Sequence, residues 1–218
     1  MSVDLDGFHA VKHALRFAPE LVQSVRVRSR GSAAALCAQL APDVAPMLLR
    51  HAIVGPVDHP TGVCGTASRP AYDVDVLRRR SAPLVLLDEP RHPGNVGAVV
   101  RVAAAAGASG VAVTGSLDPW HPSVLRGSAG LHYALPVLRC AAADVTGPLL
   151  VLDPAGHRLA DIADDAVLVV GSERAGVGAG LRARAERVVA LPMREGVSSL
   201  NLATAVAAVL YSWRLQRP

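Results

Sequence analysis

Arg101 stands in the run Asn95-Val-Gly97-Ala-Val-Val-Arg101-Val-Ala-Ala-Ala-Ala-Gly107, where its neighbours are otherwise small or apolar. A guanidinium stays protonated up to pH ~12 and grips oxygen anions as a planar fork, while leaving one unpaired in an apolar setting is very costly. The residue therefore requires a polar partner, either a bound phosphate or oxygen, or an internal carboxylate. Pro90, Pro93 and Gly94 stop a preceding strand, and Asn95 is placed to cap the helix that carries Arg101. Gly97 removes side-chain bulk where something must approach the first turn.

Two further loops put polar groups at the ends of apolar runs. Val167-Leu-Val-Val170 breaks into Gly171-Ser172-Glu173-Arg174-Ala-Gly176, which offers backbone amides and one carboxylate. Leu191-Pro192-Met193-Arg194-Glu195-Gly196-Val197-Ser198-Ser199-Leu200-Asn201-Leu202-Ala203 leads into a long apolar segment. Ser198 or Ser199 can cap a helix there, and Asn201 then falls in its first turn, where other residues are preferred. Capping explains one serine but not the whole Ser-Ser-Leu-Asn run. The GxGxxG dinucleotide fingerprint is absent. Cys37, Cys64 and Cys140 are odd in number and far apart, so neither a zinc site nor a disulfide framework is expected.

These loops need a scaffold that gathers them. Strands are predicted at 84–87, 110–114, 149–152, 166–170 and 187–191, with helices at 95–106, about 179–185 and 199–215. That alternation predicts an α/β fold, a mostly parallel sheet flanked by helices, with ligands at the carboxyl ends of the strands. Residues are 51% hydrophobic but only 3% aromatic, so the core must be Ala, Val and Leu. Leu77-Arg-Arg-Arg-Ser-Ala-Pro83 is charged, ends in proline and reads as a linker. Before it, a helix is predicted over 5–17 with Phe8, Val11, Ala14 and Leu15 on one face. Residues 22–30 then alternate, Val25 and Val27 pointing one way and Arg26, Arg28 and Arg30 the other. Such an arginine ladder suits an RNA backbone, and equally suits an edge strand guarded by charge.

The net charge of +4 permits a nucleic-acid partner without requiring one. Of the 22 lysines and arginines only Lys12 is a lysine, a bias that a GC-rich genome explains and that phosphate recognition also favours. The N-terminus lacks a secretion signal and no apolar run reaches a membrane span, so a soluble, cytoplasmic protein without membrane attachment is expected.

The Asn-x-Gly-x-x-x-Arg of 95–101, the Gly-Ser-Glu of 171–173 and the Pro-Met…Ser-Leu-Asn of 192–201 resemble, in order and spacing, three motifs of the SpoU (TrmH) family of RNA 2′-O-ribose methyltransferases, of the SPOUT class. Arg126-Gly-Ser-Ala-Gly130 resembles the family's Arg-x-Ser-x-Gly segment, and the likeness spans residues 84–215. Gly7-Phe-His-Ala-Val-Lys-His-Ala-Leu15 and His59-Pro-Thr-Gly62-Val63 are similar to the start and end of the small RNA-binding domain that precedes some members. Thr61 departs from the glutamine common there.

The resemblance implies a small N-terminal α/β RNA-binding domain over 1–76, a linker over 77–83 and a methyltransferase domain over 84–218 with a C-terminal trefoil knot. It implies S-adenosylmethionine as cofactor, held in bent form by Val170, Gly171, Ser172, Glu173, Gly176, Leu191, Pro192, Met193, Ser199, Leu200 and Ala203, with no metal. It implies catalysis by Asn95, Arg101, Glu173, Ser199 and Asn201. Arg101 would hold the adjacent phosphate and stabilise developing alkoxide charge, Asn95 would position Arg101 or the ribose, and the other three would complete the site by hydrogen bonding. RNA contacts are expected at Arg26, Arg28, Arg30, Arg101 and Arg126. The implied substrate is structured RNA, 23S ribosomal RNA ahead of transfer RNA. The implied assembly is a homodimer, with the apolar face of the last helix (Val206, Val209, Leu210, Trp213) offering surplus surface. The alternatives are an inactive RNA-binding relative, a base-methylating relative, and an α/β enzyme for a small nucleotide-like substrate, against which the extra N-terminal unit speaks.

Overall fold

The computed structural model describes residues 1–217; Pro218, the last residue of the expected 84–218 unit, lies outside the described residues. The chain opens with β1 (Ser2–Asp6), α1 (Gly7–Phe17), β2 (Val22–Val27), α2 (Arg30–Leu40), α3 (Ala45–His51), β3 (Ala52–Val54) and β4 (Val63–Ser68). These strands form one sheet in the order β1-β4-β2-β3, with only β2 and β3 parallel. Phe8, Val11, Ala14 and Leu15 are buried on α1, as the periodicity predicts. Residues 5 and 6 belong to β1 instead of the helix, and the turn between them falls at Gly7, whose φ of +84° favours glycine.

The arginine ladder does not form. β2 ends at Val27 and runs inside the sheet, between β4 and β3, so it is not an edge strand either. Arg26 is exposed on it. Arg28 lies beyond the strand and donates to the carbonyls of Val57 and His59, each at 2.9 Å. Arg30 opens α2 and donates to the carbonyls of Leu49 and Ala52, each at 2.9 Å. The serine between them breaks the alternation: Ser29 caps α2 by accepting from the Ser32 amide.

The second sheet comprises β5 (Leu84–Asp88), β6 (Gly110–Val113), β7 (Val137–Arg139), β8 (Leu149–Arg158), β9 (Val167–Gly171) and β10 (Arg187–Ala190). All pair in parallel, in the order β10-β8-β9-β5-β6-β7. Helices α4 (Pro93–Ala106), α5 (Pro122–Gly127), α6 (Ala179–Ala183) and α7 (Leu202–Arg214) connect or follow the strands. The predicted strands and helices of this region all occur with shifted ends. β7 and α5, three and six residues long, carry too little periodicity to predict.

Central strands are buried on both faces, which is why they read as unbroken apolar runs. Val85 and Leu87 pack with Val96, Val99 and Val100 of α4 and Val206 and Val209 of α7, while Leu84 and Leu86 pack with Leu77, Val145 and Leu181 on the other face. Each such side chain contributes roughly 1.5–3 kcal/mol by burial. The apolar face of α7 is therefore taken up by its own core: Val206, Val209, Leu210 and Trp213 are all buried, and this face is no surplus for a dimer.

The 77–83 stretch is fastened down. Leu77 sits in the second core, and Arg80 donates to the carbonyls of Leu77 (2.6 Å), Thr146 (2.9 Å) and Asp165 (2.8 Å). Trp120, Leu125 and Tyr133 pack among Phe8, Val11 and their neighbours, so the segment around α5 contributes to the core of the first sheet. Among the described residues no helix is long and apolar enough to cross a membrane.

Candidate active site

The middle of β8, the carboxyl ends of β9 and β10 and the start of α7 surround a cleft of about 450 Å³. Of the residues expected to hold the cofactor, Val170, Gly171, Ser172, Glu173, Gly176, Leu191, Met193, Ser199 and Leu200 line it, together with Asn201, Leu202 and Ala205. Pro192 and Ala203 do not. Pro192 faces a neighbouring hollow beside Arg194 and Ser198, and the Ala203 amide is already bound by Asn201. The wall formed by Leu152, Asp153 and Pro154 is absent from the sequence reading. It exists because β8 continues past residue 152: Val151 pairs with Val188, the register shifts, and His157 then pairs with Val189. Asp153 is held there by an ion pair with Arg182 of α6.

The turn after β9 depends on glycine twice. Ser172 and Gly176 exchange backbone hydrogen bonds at 3.2 and 3.0 Å, folding the loop tightly onto itself. A Cβ on Gly171 would overlap the Gly176 carbonyl, and Gly176 has φ +68°. Asp88, buried at the end of β5, anchors the same region by accepting from Thr114 Oγ1 (2.8 Å) and the Gly178 amide (2.7 Å). A lone carboxylate closing the run Leu-Val-Leu-Leu-Asp88 was the available signal for it.

Three predicted catalytic residues meet at the mouth of the cleft. Asn95 Nδ2 donates to Glu173 Oε1 at 2.7 Å, and Asn201 Nδ2 donates to Asn95 Oδ1 at 3.1 Å. A carboxylate only accepts, so Glu173 fixes which way the Asn95 amide faces. Partial burial pushes the Glu173 carboxyl up, but the Asn95 hydrogen bond, the backbone amides of Glu173 and Arg91 and the nearby His92 outweigh it and hold the group below its ordinary value. The helix caps differ from expectation. α4 starts at Pro93 with His92 as its cap, which leaves the Asn95 side chain free for the site. α7 is capped by Asn201, not Ser198 or Ser199, because its Oδ1 accepts from the amides of Ala203 (2.9 Å) and Thr204 (3.4 Å).

Arg101 lies farther along α4, exposed, with neither an ion pair nor a hydrogen bond among the described residues. It is thus neither buried nor matched to an internal carboxylate, and Asn95 binds Glu173 and Asn201 instead of positioning it. Ser199 lines the cleft, and Arg126 is exposed, 3.5 Å from Asp6. The approach that Gly97 permits is by protein: a Cβ there would stand 2.5 Å from the Val124 carbonyl and 2.8 Å from Gly127 Cα. In the Arg126–Gly130 segment the serine is structural. Ser128 Oγ lies 2.7 Å from Nδ1 of the fully buried His132, whose Nε2 donates to the Pro119 carbonyl at 2.8 Å.

Comparison with known proteins agrees with this geometry. Residues 82–211 match the model of the SpoU rRNA Methylase family. The 23S rRNA (uridine(2479)-2'-O)-methyltransferase of Streptomyces viridochromogenes is 32% identical over 176 residues, covering 72% of this chain; the chain spans 61% of that relative's length. RlmP of Bacillus subtilis (strain 168), a 23S rRNA (guanosine(2553)-2'-O)-methyltransferase, is 26% identical over 96% of this chain and 87% of its own. The crystal structure of the SpoU methyltransferase AviRb from Streptomyces viridochromogenes in complex with AdoMet superposes with a TM-score of 0.81 and 28% identity, covering 99% of this chain and 90% of that one. With the family model covering more than half of its length and one residue from each of the three motif loops joined by hydrogen bonds, this chain belongs to the SpoU rRNA methylase family.

Proposed function

We propose that this chain transfers a methyl group from S-adenosylmethionine to a ribose 2′-hydroxyl of 23S ribosomal RNA. The observation that carries this reading is the hydrogen-bonded chain Glu173–Asn95–Asn201 at the cleft, one residue from each motif loop. The cleft suits the donor: its size falls within the ~300–1,000 Å³ of small-ligand sites, and its walls are largely apolar with backbone groups at 170–176. Bound there, S-adenosylmethionine supplies an activated methyl group. Val170, Gly171, Ser172, Gly176, Leu191, Met193 and Leu200 cradle it, while Glu173, Ser199 and Asn201 orient it by hydrogen bonds. Arg101 stays protonated, so it holds a substrate phosphate or the 2′-oxygen and stabilises the charge that develops as the hydroxyl loses its proton. Asn95 keeps Glu173 and Asn201 in register.

The first unit, residues 1–76, presents the RNA with Arg26 as an exposed contact, and residues 84–218 carry the transfer site and a second exposed contact, Arg126. The C-terminal segment is a trefoil knot, a reading supported by β10 following β9 in sequence yet pairing with β8. The protein works in the cytoplasm as a homodimer, through exposed apolar groups such as Tyr211 and Leu215 in place of the buried face of α7.

Incubation with tritiated S-adenosylmethionine and unmodified 23S rRNA or tRNA, followed by nucleoside analysis, tests the activity. Label in a 2′-O-methylated nucleoside of 23S rRNA is expected; label in tRNA reassigns the substrate, and label on a base, or none, overturns the reaction. Calorimetry should show binding of S-adenosylmethionine and not of NAD. A monomeric mass by light scattering at micromolar concentration would refute the dimer.

A further inference from the structure

Segment 122–133 grips α1 on one side and α4 on the other. A Cβ on Gly130 would stand 2.7 Å from Ala10 Cα, and the Ala129 carbonyl accepts from His13 Nδ1 at 2.8 Å. On the other side Gly97 and Gly127 touch backbone to backbone. These contacts, made with glycine on both sides, set α1 and α4 at a fixed separation. His9, Lys12 and Arg16 recur on α1 at the spacing of one helix face, and the charge of Arg101 on α4 is felt by both His9 and Lys12.

The two cations of this group, Lys12 and Arg101, lack an anion, and His9, held toward its neutral form, adds a ring N–H beside them. Arg16 is matched by a two-pronged pair with Asp43, both contacts at 2.6 Å, which occupies the one carboxylate acting on Lys12. Asp6, at the foot of α1, faces Arg126. His9, Lys12 and Arg101 have no ion pair among the described residues. Burial first, and neighbouring cations second, hold His9 and Lys12 below their ordinary values. Like charges held together by rigid backbone contacts are unfavourable until an anion enters among them.

We propose that Lys12 and His9 of the first unit and Arg101 of the second form one binding site for a backbone phosphate of the RNA, so that the two units jointly set the target ribose against the cleft. This rests on the function proposed above. It makes Lys12 a substrate-binding residue, and the segment 122–133 the brace that holds it opposite Arg101.

The test uses the full chain, unmodified 23S rRNA transcript and tritiated S-adenosylmethionine. RNA binding is measured by filter retention over a range of salt, and methyl transfer under single turnover. Lys12→Ala should weaken RNA binding about tenfold, as expected for a lost charge-assisted contact. It should also make the slope of log affinity against log salt shallower by about 0.7–0.9, the signature of one phosphate fewer. Affinity for S-adenosylmethionine should remain near wild type, the single-turnover rate at saturating RNA should fall because the ribose is held less well against the cleft, and Lys12→Arg should restore affinity and slope. An unchanged slope with Lys12→Ala, whether or not affinity falls, overturns the phosphate site. Failure of the wild type to methylate ribose overturns the proposed function instead, and the salt slopes read the phosphate site separately.

Discussion

Asn201 joins the starts of two helices: its Oδ1 caps α7 while its Nδ2 donates to Asn95 Oδ1 in the first turn of α4, at 3.1 Å. Both helix N-termini, each the positive end of a helix dipole, thus converge beside the Glu173 carboxylate. The asparagine type matters because its amide accepts on one atom and donates on the other, which neither a carboxylate nor a serine hydroxyl can do.

Substitution at 201 separates the two roles. Asn201→Ala should cost about 0.5–2 kcal/mol of stability through the lost cap. Asn201→Asp still accepts from the amides of Ala203 and Thr204, so denaturation midpoints should remain near wild type. It cannot donate to Asn95 and brings a second carboxylate toward Glu173, so methyl transfer should fall at least about tenfold, roughly 1.4 kcal/mol. Full activity in the Asp variant would show that the Asn95 link is incidental.

Gly97 and Gly94 lie on the same helix and should respond oppositely to alanine. A Cβ at 97 meets the Val124 carbonyl and the Gly127 backbone, neither of which can swing aside. Gly97→Ala should lose about 1–3 kcal/mol and lower Tm by several degrees. Gly94 has nothing within 4 Å of the same atom, so Gly94→Ala should be neutral or stabilising by up to about 1 kcal/mol. Thermal melts of the two variants decide it.

The motif loops were legible because each follows an apolar strand and precedes a helix, a pattern written within about twenty residues. What depended on distant pairing was not. β8 runs beyond residue 152 only because β10 returns beside it, and that return builds the Asp153 wall of the cleft. Arg28 and Arg30 look like a ladder in one dimension; their carbonyl partners lie 19 to 31 residues away and are invisible to a period-two reading. Serine and asparagine cap helices almost equally well, so local chemistry could not choose Asn201 over Ser198 or Ser199. Arg101 sits in an apolar run without being buried, because one side of α4 faces outward.

Acid should weaken the fold through His132. Burial, above all, lowers this imidazole to about 4 from an ordinary 6.5. As pH falls below 6.5 the unfolded chain takes up a proton that the folded chain refuses, so stability declines down to about pH 4 and is unaffected by this group above 6.5. The decline attributable to His132 is up to roughly 3 kcal/mol. His13, lowered to about 4 mainly by burial, adds to it in the same direction. His132→Gln should be less stable at pH 7.5 yet lose less on acidification. Parallel pH profiles of the denaturation midpoint for variant and wild type would rule this out.

Arg101→Ala should separate catalysis from cofactor binding. Arg101 does not line the cleft, and no predicted cofactor contact comes from its part of α4. Affinity for S-adenosylmethionine by calorimetry should therefore stay near wild type. Removing a charged contact to the developing oxyanion should lower single-turnover methylation at saturating RNA by three or more orders of magnitude, about 4 kcal/mol. Arg101→Lys keeps the charge but loses the planar fork and should recover little of that rate. The fold should tolerate both changes, since the side chain is exposed and its removal leaves no cavity and no orphaned partner. Near-normal turnover in Arg101→Ala would show that the guanidinium does not act on the reacting ribose, and the transition-state role proposed for it would be wrong.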